Sequence, residues 1–111
     1  MAVNRRRGEV ETELDGVTRR LCLTLGALAE LEAAYAAEDL NVLVQRFTSG
    51  RLSARDLARI IGAGLRGGGT AISDDEVMAM QTPGGAAGFA AIAAALLEAT
   101  FGGSAQDPRE P

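Results

Sequence analysis

Three glutamates, Glu9, Glu11 and Glu13, alternate with Val10, Thr12 and Leu14, and the pattern breaks at Asp15-Gly16 before resuming over residues 17–22. Period-two alternation places one set on each face of a strand. Asp-Gly suits a two-residue type I′ turn, whose two central residues both need positive φ. That turn fixes a register in which Leu14 faces Val17, Thr12 faces Arg19 and Val10 faces Leu21. On the other face Glu13 meets Thr18, Glu11 meets Arg20 and Glu9 meets Cys22. A three-residue loop would set Leu14 against Thr18 and mix the faces, so pattern and turn chemistry agree. Val10, Leu14, Val17 and Leu21 are therefore expected to close one side of a core, with Glu11 and Arg20 left solvated. A two-stranded ribbon is marginal alone and needs a packing partner.

Beyond residue 22 the period changes to that of a helix. Three helix starts share one device: a capping hydroxyl, an apolar residue before it and another four positions into the helix. Thr24 is flanked in this way by Leu23 and Leu28, Ser53 by Leu52 and Leu57, and Ser73 by Ile72 and Val77, with Glu76 completing a capping box. The first helix is expected over 25–36, with Leu28, Leu31 and Tyr35 on its apolar stripe. A second, over 39–49, turns Leu40, Leu43, Val44 and Phe47 inward and stops at Gly50. The third spans 54–66; Gly62 and Gly64 within it each cost about 1 kcal/mol relative to Ala, a cost consistent with a close helix crossing. A short helix over 74–81 carries Val77, Met78 and Met80. The last, over 84–101, has Pro83 at its first turn and Phe89, Ile92, Leu96 and Leu97 inward. The fold class is α+β, mostly helical: an N-terminal β-hairpin packed on four to five short helices. Residues 9–102 form one domain, between a flexible basic arm over 1–8 and a disordered tail over 103–111.

Composition narrows the function. With 47% hydrophobic and 4% aromatic residues and no Trp among 111, the core is aliphatic and fits one small domain. Eleven basic against 15 acidic side chains give a net charge of −4, which disfavours a general phosphate-backbone binder. The single cysteine, Cys22, rules out an intramolecular disulfide framework and fits a reducing cytoplasm; no apolar segment follows the N-terminal arginines as a signal peptide requires. The apolar run 86–97 is too short to span a membrane.

The candidate chemistry is sparse. His is absent and Cys22 has no residue type to activate it, so no catalytic set, cofactor site or metal site is expected. Asp74, Asp75 and Glu76 run consecutively into a helix, as acids favoured by its dipole do. Gly67-Gly68-Gly69 follows a helix and lacks the Lys-Ser/Thr ending of a P-loop, so it reads as a reversal between helices. The spacing in SARDLARIIGAGL also occurs in helix-turn-helix domains, which keeps a small DNA-binding regulator as one reading. The would-be recognition helix begins Ser-Asp-Asp-Glu, however, and opposes phosphate approach. Met78, Met80 and Phe89 are the candidate partner-binding residues, since Met side chains adapt to varied apolar surfaces.

The stretches NRRRGEVETELDG, LCLTLGALAELEAAY and FTSGRLSARDLARIIGAGLRGGGTAISDDEV, about residues 4–77, resemble the small gene-transfer-agent and phage tail-assembly chaperone family. LTLGALAELE followed by GRLSARDLARIIGAGLRGGG carries most of the likeness; the Ala-rich end matches in character only. The resemblance implies a non-enzymatic assembly role in the producing cell's cytoplasm. The protein would bind the tape-measure protein and help recruit tail-tube subunits, through an apolar groove between hairpin and helices. A structural tube component is the near alternative.

Overall fold

The computed structural model describes residues 4–6, 8–34, 45–46 and 49–102. Three antiparallel strands form one sheet in the order β1 (Asn4–Arg6), β2 (Glu9–Leu14), β3 (Val17–Cys22). β2 and β3 pair in the register the turn requires, from Leu14 with Val17 to Glu9 with Cys22. Asp15 and Gly16 hold φ of +56° and +78°, as a type I′ turn demands.

β1 corrects the expectation of an unstructured arm over 1–8. Asn4, Arg5 and Arg6 pair with Glu11, Val10 and Glu9. Backbone groups on the open edge of β2 can hydrogen-bond any short extended segment, and three residues carry too little side-chain pattern to announce it. Residues 103–111 lie outside the described residues.

Four helices are described: α1 (Leu25–Ala34), α2 (Ala54–Gly67), α3 (Asp74–Met78) and α4 (Gly85–Leu97), the last running into a π-helical turn, Glu98–Gly102. Each expected hydroxyl cap is in place. Thr24 Oγ1 accepts from Ala27 N at 3.1 Å, and Ser53 and Ser73 each take part in a reciprocal capping box. α3 ends three residues earlier than expected. Of the helix expected over 39–49, only Gln45, Arg46 and Ser49 are among the described residues; Tyr35, Leu40, Leu43, Val44 and Phe47 are not. The stop at Gly50 is visible: its φ is +73°, and Arg51 N donates to the Arg46 carbonyl at 2.8 Å.

Pro83 does not occupy a helical first turn. With Gly84 at φ +89° and Gly85 N donating to the Thr82 carbonyl at 3.0 Å, residues 82–85 form a type II turn, with Pro and Gly at the positions that turn favours. α4 therefore starts at Gly85.

The core lies between the inner sheet face and the helices. Val10, Leu14 and Leu21 are fully buried there with Leu31, Ile60, Ile61, Leu65, Ile92 and Leu96. Val17, expected among them, is 50% exposed. The C-terminal end of α2 rests on the far end of β3, at Leu21, and leaves the turn-proximal end uncovered. Gly64 makes that crossing possible: a β-carbon there would lie 2.5 Å from Leu96 Cδ2 and 3.2 Å from Leu21 Cβ, at the meeting of α2, α4 and β3. Gly62 serves a different purpose, leaving room for the Asp74 carboxylate beside Arg66.

Candidate functional site

An apolar groove of about 140 Å³ opens between three helices, lined by Ala54, Leu57 and Ala58 of α2, Val77 and Met78 of α3, and Ala86 and Phe89 of α4. Each wall is fixed by polar contacts outside the groove. Ser53 Oγ accepts from Asp56 N at 3.0 Å while the Asp56 carboxylate accepts from Ser53 N at 2.9 Å. That carboxylate is only 5% exposed, and Arg46 Nη1 reaches it at 3.3 Å. A buried charge held in this way fixes where α2 begins.

α3 is aimed by Arg66. Its guanidinium donates to the Ile72 carbonyl at 2.8 Å, to Asp74 at 3.1 Å and to Glu30 of α1 at 2.9 Å. Burial by itself would lower the Arg66 pKa. The hydrogen bonds and charges of Glu30 and Asp74 prevail, so the net direction is upward and the cation is retained.

α4 is placed by the hairpin turn. Asp15 N donates to the Gln81 carbonyl at 2.8 Å, Asp15 Oδ1 accepts from Gln81 N at 2.9 Å, and Thr82 Oγ1 donates to the Glu13 carbonyl at 2.6 Å. This clasp lines a shallow polar depression, formed with Gly16 and Pro83, whose polar atoms largely serve the clasp itself. At the start of α4, Gly88 packs against the Pro83 carbonyl where a side chain would not fit.

The three residues singled out in the sequence separate. Met78, 47% exposed, and half-buried Phe89 share the groove. Met80 is 9% exposed and belongs to the core. Residues two apart on a helix point in different directions, and Met80 also lies beyond the end of α3. The groove is not between hairpin and helices, because Val10, Leu14 and Leu21 already fill the sheet's inner face. Sequence reasoning missed Ala54, Leu57, Ala58, Val77 and Ala86 as lining. Ala54, Leu57 and Ala58 stand at i, i+3 and i+4, a spacing shared by core and groove residues.

Among the described residues no cluster of three His, Cys, Asp or Glu side chains could hold a metal ion, and no helix is long and apolar enough to cross a membrane. Cys22 is a half-buried free thiol. α3, at five residues with Asp74, Asp75 and Glu76 in its first turn, lacks the length and charge of a DNA recognition helix.

Fold and groove together define a small α+β domain, mostly helical, with an apolar surface on which another polypeptide could pack. The family model described as "Phage tail tube protein, GTA-gp10" matches residues 7–103. The chain belongs to that family, which makes it a tail-cluster protein of the phage and gene-transfer-agent type, in a structural rather than enzymatic family. No curated protein and no solved structure matches it.

Proposed function

We propose that this protein is a structural component of a phage-type tail, working beside other tail proteins in the tube. The family match over 7–103 carries the reading. The capped, clasped helices support it, since they hold the apolar groove as a rigid contact surface. Quantitative mass spectrometry of purified particles tests it: a tube component is present in stoichiometric amounts relative to other tail proteins, and near absence overturns the reading.

The groove favours a second reading, an assembly chaperone in the producing cell's cytoplasm. Met78 and Phe89 line an opening into which an amphipathic helix could lay apolar side chains, as helix-in-groove recognition does. The partner would be the tape-measure protein, whose apolar segments this chain would shield while tube subunits are recruited. Co-expression separates the two readings. A tape-measure protein equally insoluble with and without this chain, with no complex surviving purification, removes the chaperone.

A further inference from the structure

We propose that the outer edge of β1 is a docking site for an extended, acidic segment of another protein, which joins the sheet as an added strand. β1 stands at one end of the strand order, and among the described residues no other strand pairs with its outer side. Other stretches of sheet edge are occupied. The end of α2 brings Gly67 and Gly68 against the carbonyls of Cys22 and Arg20 on β3, and Thr82 Oγ1 takes the Glu13 carbonyl where β2 runs past β1.

The ladder aims backbone groups at the open edge. In an antiparallel pair, opposed residues alternate between exchanging both backbone hydrogen bonds and exchanging none. The carbonyls of Arg20 and Cys22 face α2 and so turn away from β2. Their partners Glu11 and Glu9 therefore turn their own backbone groups toward β1, to Asn4 and Arg6. Arg5, between those two, directs its N–H and C=O outward, and such groups are what an added strand binds.

Charge decides which strand fits. The chain carries a net charge of −4, yet Arg5-Arg6-Arg7 is an uninterrupted cationic run. A second copy adding its own β1 about a two-fold axis at Arg5 would set arginine opposite arginine, and like charges directly opposed disfavour pairing. An acidic strand is favoured, and the chain holds an example: in β2, Glu9 and Glu11 stand opposite Arg6 and Asn4. The β2 of another folded copy cannot serve, because it is paired on both sides. The occupant is therefore a segment of a different protein, with acidic residues at alternate positions.

This edge is separate from the apolar groove and does not depend on the tube reading, so either can fail alone. The test titrates the isotope-labelled full-length chain with a synthetic peptide, Glu-Val-Glu-Thr-Glu-Val, and with versions carrying Gln or Lys in place of Glu. The acidic peptide should bind, the Gln version more weakly and the Lys version not at all, and exchange of the Arg5 amide should slow in the complex. Arg5→Pro removes the outward N–H but no bond to β2, a change that edge strands accept. It should lower affinity roughly tenfold with the melting temperature retained. Arg5→Gln keeps the N–H and should lose less, and the gap between the two variants should persist in high salt. Absence of binding by the acidic peptide at low salt overturns the proposal. Equal losses in Arg5→Pro and Arg5→Gln also overturn it, because the contact would then be one of charge without strand addition. Oligothymidine bound more tightly than the acidic peptide overturns it as well, since the arginines would then be a phosphate contact.

Discussion

Gly67 lies so close to the carbonyl oxygen of Cys22 that no β-carbon fits between the end of α2 and the edge of β3. Gly68 stands in the same relation to the carbonyl of Arg20. The run that reads in sequence as a helix reversal also lets a helix end cover an edge strand, one way in which open sheet edges are protected.

Gly67→Ala should therefore destabilise the protein. The helix gains about 1 kcal/mol of propensity from Ala, but displacing a backbone contact costs more, for an expected net loss of about 1–3 kcal/mol. Gly26→Ala is the control: its β-carbon would meet only Thr24 Oγ1, at 3.8 Å, so stability should rise by up to about 1 kcal/mol. Urea unfolding of both variants checks the opposite signs.

Asp15→Ala removes an acceptor and places alanine at a φ of +56°. The expected cost is about 1–3 kcal/mol, combining a lost hydrogen bond with left-handed strain. Because Asp15 Oδ1 accepts from Gln81 N, amide exchange at Gln81 should accelerate more than exchange along α2. Uniform acceleration would show that the clasp does not act locally.

The two ends of β3 should respond differently. Leu21→Ala empties a fully buried site and should cost about 2–5 kcal/mol. Val17→Thr, at the uncovered end, should stay within about 0.5 kcal/mol of the parent. Equal losses in thermal unfolding would contradict the placement of α2.

Asp56→Ala should cost more than Ser53→Ala. Ser53→Ala removes one cap, worth about 1 kcal/mol. Asp56→Ala removes the other half of the box together with the acceptor for Arg46, for about 2 kcal/mol or more. Chemical denaturation should give that order, and added salt should narrow the gap only slightly because the carboxylate is buried.

Arg66→Met should cost about 1–2 kcal/mol, mostly through the Ile72 carbonyl and Asp74. Glu30→Ala should cost under about 0.5 kcal/mol, since that carboxylate is half exposed. The Glu30 contribution should vanish in high salt while most of the Arg66 effect persists, as paired melting curves would show.

Local features were legible in the sequence because local chemistry decides them. Asp15-Gly16 dictated the turn and hence every β2–β3 partner, and Thr24, Ser53 and Ser73 dictated where three helices begin. The likeness to a tail-cluster protein of the phage and gene-transfer-agent type was legible as well, over a stretch that the family match extends to residue 103, whereas that match is to a tail tube family and does not carry the chaperone role. Tertiary packing decided what those elements meet. It left Val17 in solvent, put Met80 in the core, paired residues 4–6 with β2, and made a groove from residues whose spacing suits a core equally well. Turn and cap preferences are settled within a few residues of backbone. Burial depends on which surface arrives from elsewhere in the chain, and here that was set by the glycines of α2 against β3 and α4.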